Sequence, residues 1–455
     1  MVIRFKSINY RHLIYYLANL VSAVLLMSET SSDWKPFVLV LLSMLMITKP
    51  LSLVPMLFVS SWSISFVAYP GLAAFFYYLA LFFISIFITL VFSKRKPITF
   101  VSTPPAARVA LWFAIWVVFT GYTSVSGAWY DSLKLAFYII PIFIVAHLHI
   151  RGMDYCRTSI DVIAAFFSMY CLYIALFAPV NYYSEFETVG KNSLRSDLNP
   201  NTAAQFVLLL FTILYCETFR TKRYGLLLFA AMDVGTLMYL GSRTAFFTMA
   251  IIAVVYLLVV LKTEVWKKIL LFAVFLALFF ALFSMGDRFA RFERLSVSAI
   301  EEDRGSGRLD SWQALFKEVI PYHLVKGVGL GRENYENLPI NALDADNLYV
   351  DLLTATGIVG LLLFFSYFTM NVTHLFRYRK KKRDWDFLIA IFLAYLFEGI
   401  GETVYDIPMI WFMGLLSILA INDMKYSEDQ NEPCITDAEE SAFPLIDNTY
   451  LSDTV

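Results

Sequence analysis

From Leu72 to Phe92 the chain contains no charged residue, and apolar runs of similar character recur along most of its 455 residues. About twenty such residues carry an α-helix across the roughly 30 Å hydrocarbon core of a bilayer. With 59% hydrophobic and only 16% charged residues, the chain is too apolar for a soluble domain. A net charge of −1 carries no nucleic-acid signal, and no nucleic acid is expected as a partner. The fold class that follows is all-α, a polytopic transmembrane helix bundle. It takes in residues 1–422, including a large outer loop over 286–347 that carries an amphipathic helix. Residues 423–455 are acidic and poor in apolar runs, and are expected to form a disordered cytoplasmic tail.

Arg4, Lys6 and Arg11 precede the apolar run Leu13–Met27, and Ser28-Glu29-Thr30 offers no small-x-small cleavage site. The run therefore reads as a retained first span with its N terminus inside. Further spans are expected over 37–47, 51–68, 72–92, 109–125, 133–148, 160–179, 202–219, 224–240, 244–261, 269–285, 348–369, 387–401 and 407–421, about fourteen in all. Basic loops tend to stay on the cytoplasmic side, which tests this threading. Lys94-Arg95-Lys96, Arg151 with Arg157, Arg220–Arg223, Lys262–Lys268 and Arg377–Arg383 all fall inside. The loops left outside are 181–201, the tight Gly241-Ser242-Arg243 junction and 286–347. The four cysteines show neither a disulfide framework nor metal spacing.

This sidedness leaves Arg195, Arg243, Arg288, Arg291, Arg294, Arg304 and Arg308 on the outer face, where arginine is disfavoured unless it answers to an anion. Guanidinium groups pair as planar forks with phosphate or carboxylate. Arg288, Arg291 and Arg294 also read as a solvated face or as partners of Glu301, Glu302 and Asp303. Arg243 has almost no loop to carry it into solvent, and as a cation at a helix N terminus it opposes the macrodipole unless a phosphate lies beside it.

Within the loop, Trp312, Leu315, Phe316, Val319 and Ile320 recur at helical spacing between Asp310, Gln313, Lys317 and Glu318, which predicts an amphipathic helix over the outer mouth of the bundle. Gly327, Gly329 and Gly331 predict a turn that lets backbone approach something closely. Asp346 and Asn347 stand where the next span is capped, and Asp346 reads equally as a cap or as a general base. Asp344 and Asp351 nearby admit a divalent-metal reading, but no histidine or fixed cage accompanies them. Glu398 and Glu402, four residues apart, are expected to share one face of a late span and to be functional or paired with an arginine.

The series Arg195…Asn199-Pro200-Asn201…Ala204, Gly241-Ser242-Arg243-Thr244-Ala245, Gly307-Arg308…Trp312, Gly327-Val328-Gly329-Leu330-Gly331 and Asp346-Asn347-Leu348-Tyr349…Thr356-Gly357-Ile358-Val359-Gly360 resembles the O-antigen ligase and O-antigen polymerase family of bacterial inner membranes. The resemblance runs from about Arg195 to Gly360. It implies a membrane glycosyltransferase with a GT-C-like bundle, acting at the periplasmic or outer face on an undecaprenyl-diphosphate-linked glycan donor and acceptor within the membrane lipid. A chain-length regulator is a further implied partner. No metal, nucleotide or other cofactor is implied. Arg195, Arg243, Arg288 and Arg308, with Asn201, Asn347 and Glu402, form the expected substrate-binding set, and Asp346 is the expected catalytic base. Ligases of the family typically show His-Asn where this chain has Asp346-Asn347, and many polymerases show Asp-Asn, which favours polymerase over ligase.

A transporter or flippase is the reading from another class. Such proteins place their sites in broken helices at the midplane, whereas the polar residues here concentrate in the outer loops. The threading predicts that cysteines placed at Asn192 or Asn341 are labelled by a membrane-impermeant thiol reagent from outside, and that one at Lys380 is not. Outside labelling at Lys380 contradicts it.

Overall fold

A computed structural model describes residues 10–27, 34–66, 70–93, 98–177, 181–182, 192–194, 199–256, 264–266, 269–270, 273, 308–336, 338, 345–379, 385–403 and 408–429. Ten helices form the first part of an all-α membrane protein: α1 (Tyr10–Met27), α2 (Trp34–Met46), α3 (Pro50–Phe66), α4 (Pro70–Phe92), α5 (Pro105–Tyr122), α6 (Tyr130–Val145), α7 (Met153–Phe177), α8 (Pro200–Thr221), α9 (Leu226–Leu240) and α10 (Arg243–Val255). The loop expected between the later spans supplies α11 (Arg308–Ala314), a π turn (Leu315–Val319), α12 (Ile320–His323) and α13 (Arg332–Glu336). The chain then forms α14 (Leu348–Arg379), α15 (Asp386–Glu398) and α16 (Pro408–Asp429). Helices α3, α4, α5, α8 and α16 all open on proline, whose fixed φ suits a first turn and whose missing N–H would have no helical partner there.

Among the described residues, five stretches are individually long and apolar enough to cross a membrane: Ala73–Phe92, Pro105–Tyr122, Met153–Phe177, Pro200–Thr221 and Leu348–Tyr378. The apolar stretches Leu13–Leu26, Trp34–Met46, Pro50–Ser61, Leu226–Leu240 and Arg243–Val255 are shorter, and the expected span over 269–285 falls almost wholly outside the described residues. Helix α16 continues through Asp429, so residues 423–429 are helical rather than part of a tail beginning at 423.

The segments gather at two ends of the bundle. At one end, strand β1 (Ile98–Phe100) pairs antiparallel with β2 (Leu148–Ile150), and α16 closes over them. Asn422 donates its amide to the carbonyls of Ala146 (3.1 Å) and Leu148 (2.8 Å), and the His149 ring stacks on Tyr426 at 4.0 Å. The flanks of α7 and α8 meet in a buried ion pair of Arg157 with Glu217, which also accepts from Arg220 at 2.7 and 2.8 Å. All of these segments belong to the side that the basic loops mark as inside. The opposite end gathers the α5–α6 turn, α11–α13 and the starts of α10 and α14. A further two-stranded ribbon, β3 (Asn181–Tyr182) with β4 (Asn192–Ser193), precedes α8.

Helix α14 is interrupted at Gly357, where φ is +67° and ψ −175°. A break in a helix frees carbonyls, and in apolar surroundings each one left unpaired costs several kcal/mol, on the order of the transfer penalty for a bare amide. Each freed carbonyl has a partner here. Thr354 accepts from the Val328 amide (2.9 Å), Ala355 from the Gly329 amide (2.9 Å) and Thr356 from the Trp116 indole (2.8 Å), while the Ile358 amide donates back to Leu324 (2.8 Å). The Gly327–Gly331 loop therefore does approach something closely, and that something is the opened turn of α14. At Gly327 (φ +73°) an added Cβ would overlap the Ala355 carbonyl.

The loop helices pack as a small core of their own on this joint. Leu315, Val319 and Ile320 are buried against Val328, Tyr335, Ala345 and Val350, with Trp312 alongside. Phe316, expected on the same face, is half exposed. The reason is the π turn. Pro321 has no N–H, the ladder slips so that the Ile320 amide bonds to Leu315, and the register of the apolar stripe shifts.

Gly327→Ala is expected to abolish stable folding, read as loss of a monodisperse detergent-solubilised species. Gly127→Ala also has positive φ (+74°) but meets nothing within 4 Å, so it should cost only about 1–2 kcal/mol of left-handed strain and leave that species intact.

Candidate active site

Arg308 is the first residue of α11, and Trp312 lies one helical turn further on the same face. Both reach the chain just before α14. The Trp312 indole donates to the Ala345 carbonyl at 2.6 Å, and Arg308 Nε donates to Asp346 Oδ2 at 3.3 Å. The other arm of the guanidinium, Nη2, donates to Glu402 Oε1 at 3.2 Å. That oxygen also accepts from Asn201 Nδ2 at 2.5 Å. Asn201 is set by the start of α8, where Asn199 caps the helix by accepting the Asn201 amide at 2.9 Å. Four of the expected site residues, from four separate parts of the chain, thus form one connected set.

Adjacent residues Asp346 and Asn347 divide the work that their position allows. The Asn347 side chain is the cap: Oδ1 accepts from the Tyr349 (2.9 Å) and Val350 (3.0 Å) amides, and Nδ2 donates to the Ile400 carbonyl at 2.7 Å. Asn347 is buried and these bonds engage both ends of its amide, so it ties α14 to the turn after α15 instead of facing outward. Asp346 has φ +43°, a left-handed conformation that Asp and Asn adopt more readily than other side-chain-bearing residues. Its carboxylate takes no part in capping. The side chain is 47% exposed and bonds to Arg308.

Glu398 and Glu402 do not share a helical face. Helix α15 ends at Glu398, Gly399 caps it, and Glu402 lies beyond the turn that the Ile400 and Gly401 amides close. Glu398 is fully buried, and among the described residues neither of its carboxylate oxygens has a hydrogen-bond partner. Glu402, with a side chain 11% exposed, points instead to Arg308 and Asn201.

Arg243 opens α10 with only two residues between it and the end of α9, as the tight junction in the sequence requires. Its neighbour Thr244 packs directly on Gly401, so α10 begins against the turn that carries Glu402. Arg195, Arg288 and Asp344 lie outside the described residues. Asp351 is buried and accepts a hydrogen bond from the Tyr335 hydroxyl. Among the described residues no three His, Cys, Asp or Glu side chains are grouped to hold a metal.

Sequence reasoning missed Asp233, which is fully buried in α9 with Oδ2 bonded to the Ser168 hydroxyl of α7 at 3.0 Å. The signal was present, because Asp233 is the single charge in the run Leu226–Leu240. The division of labour at 346–347 predicts unequal stability effects. Asn347→Ala should destabilise the protein by about 0.5–2 kcal/mol through loss of the cap, whereas Asp346→Asn should leave the thermal transition within about 0.5 kcal/mol of wild type.

No curated protein matches the chain. Residues 225–365 match the family model described as O-Antigen ligase, a stretch that holds Arg243, Arg308, Asp346 and Asn347 and overlaps the motifs in which the chain resembles the O-antigen ligase and polymerase family.

Proposed function

We propose that the protein is a membrane glycosyltransferase that joins undecaprenyl-diphosphate-linked oligosaccharide repeat units into O-antigen or a related surface polysaccharide, at the periplasmic face of a bacterial inner membrane. The observation that carries this reading is the connected set Arg308, Asp346, Glu402 and Asn201, which puts a guanidinium beside a half-exposed carboxylate at the end of the molecule marked as outer. A guanidinium supplies a fork for the diphosphate of the donor, and Arg243 at the adjoining helix start adds a second cation. The carboxylate supplies an acceptor for a proton.

In the reaction so assigned, Asp346 takes the proton of an acceptor sugar hydroxyl as its oxygen attacks C1 of the donor's first sugar. The C1–O bond to the diphosphate breaks, its electron pair leaves with the lipid diphosphate, and Arg308 holds that developing charge. Glu402 and Asn201 act on Arg308 from behind. Glu402 orients the guanidinium, and Asn201 holds Glu402. Asn347, expected among the substrate-binding residues, acts in this scheme by fixing the chain next to Asp346. Arg195 and Arg288 belong to the same outer face by threading and complete the proposed anion-binding set. A chain-length regulator is retained as a proposed partner.

The O-antigen ligase reaction transfers finished polymer to lipid A core and would draw on the same residues. The description of the matching family favours it, and Asp346 in place of the ligase-like histidine favours polymerisation. The surface polysaccharide of a deletion strain separates the two: single repeats left on the lipid anchor mean polymerase, and accumulated free polymer means ligase. Complementing that strain with variants tests the residues. Asp346→Asn should lose about 10²–10⁴-fold of activity at normal membrane abundance. Arg308→Lys should lose about ten- to a hundredfold, because a point charge cannot replace the fork. Full activity in both variants contradicts the assignment.

A further inference from the structure

Arg308 is held by two carboxylates in different ways. Glu402 is nearly buried, with its Oε1 also fixed by Asn201, so this end of the interaction is anchored within the bundle. Asp346 is 47% exposed, and its bond from Arg308 Nε is 3.3 Å long, looser than the roughly 2.7–2.9 Å of a well-made charge-assisted hydrogen bond. Neither carboxylate engages the guanidinium as a bidentate pair, so the planar fork is only partly used. The backbone of Asp346 is held on both sides, by Trp312 through the Ala345 carbonyl and by the Asn347 cap, while its side chain stays outward.

We propose that Arg308 masks Asp346 until an anionic donor replaces it, so that the diphosphate engages before any acceptor hydroxyl is activated. The proposal rests on the anion-binding reading of this site and adds an order of events to it. When a diphosphate arrives, Arg308 keeps its bond to Glu402 and exchanges Asp346 for phosphate oxygens, which complete the fork. Asp346 then turns on a fixed backbone and has both oxygens available to the acceptor. In the absence of donor the base stays occupied by the guanidinium. This arrangement keeps the carboxylate from activating an acceptor, or water, in a site that holds no donor.

The test is the affinity of the full-length protein in lipid nanodiscs for inorganic pyrophosphate, measured by calorimetry in four forms: wild type, Asp346→Asn, Arg308→Gln and the double variant. Asparagine tolerates the left-handed backbone at 346, so Asp346→Asn removes the mask without a penalty in folding. The exchange predicts that Asp346→Asn binds pyrophosphate up to about fivefold more tightly than wild type, the worth of an exposed ion pair no longer broken on binding. It also predicts that the gain disappears when Arg308 is already glutamine. An equal gain in both backgrounds overturns the exchange, since removal of a nearby negative charge then explains it without a mask. No gain in either background overturns it too. Failure of wild type to bind pyrophosphate at all contradicts the underlying anion-site reading, which separates the two failures. Arg308→Lys, which keeps the charge, serves as the second background if Arg308→Gln does not fold.

Discussion

A helix that opens inside an apolar bundle must find partners for the carbonyls it releases, and here that requirement builds the end of the protein that carries the loop helices. Gly357 breaks α14, and the amides of Val328 and Gly329 with the indole of Trp116 occupy the carbonyls of Thr354, Ala355 and Thr356. A loop from a different part of the chain is thereby fixed to the first turns of α14. Once it is fixed, the π turn and the start of α12 have a surface to bury Leu315, Val319 and Ile320 against, and α11 delivers Arg308 at its first residue. The position of the guanidinium is thus a consequence of backbone hydrogen bonding some distance from it.

The polar set at this end uses few residues to hold one partly buried cation in place. Glu402 reaches Arg308 and Asn201 because α15 stops at Glu398, and Gly399 and Gly401 allow the turn to press on Leu348 and Thr244. Asn347 ties that turn to α14 through the Ile400 carbonyl, and Asn201 reaches Glu402 from α8. Every bond in this chain either orients Arg308 or fixes the backbone on which Asp346 sits. The arrangement leaves one half-exposed carboxylate against one guanidinium, which suits transfer from a diphosphate leaving group better than passage of a solute through the bundle.

Much of this could be read in the sequence where the determinants are local. Apolar run length located most of the described helices, with the span expected over 202–219 lying inside α8, and Trp312, Leu315, Val319 and Ile320 gave the buried stripe of the loop helix. Phe316 was misplaced because Pro321 imposes a π turn that spacing alone does not announce. Glu398 and Glu402 were assigned one face because the pattern continues past the point where glycine ends the helix. The choice between Asp346 and Asn347 as cap depended on which residue takes the left-handed conformation, which side-chain identity leaves open. The docking of the glycine loop into α14 joins residues near 328 to residues near 355, and such pairing has no signature in either segment by itself. The number of spans depends on helices too short to decide it by length.

The central claim is that Arg308, anchored by Glu402, is where the diphosphate of a lipid-linked donor is held. An electron cryomicroscopy structure of the protein with undecaprenyl diphosphate bound tests it most directly. The account predicts phosphate oxygens at hydrogen-bonding distance, roughly 2.7–3.0 Å, from the Arg308 guanidinium, with the Glu402 bond kept and the Asp346 bond broken. A diphosphate seated elsewhere, such as at Arg157 and Arg220 on the opposite end, with Arg308 still bonded to Asp346, would contradict it.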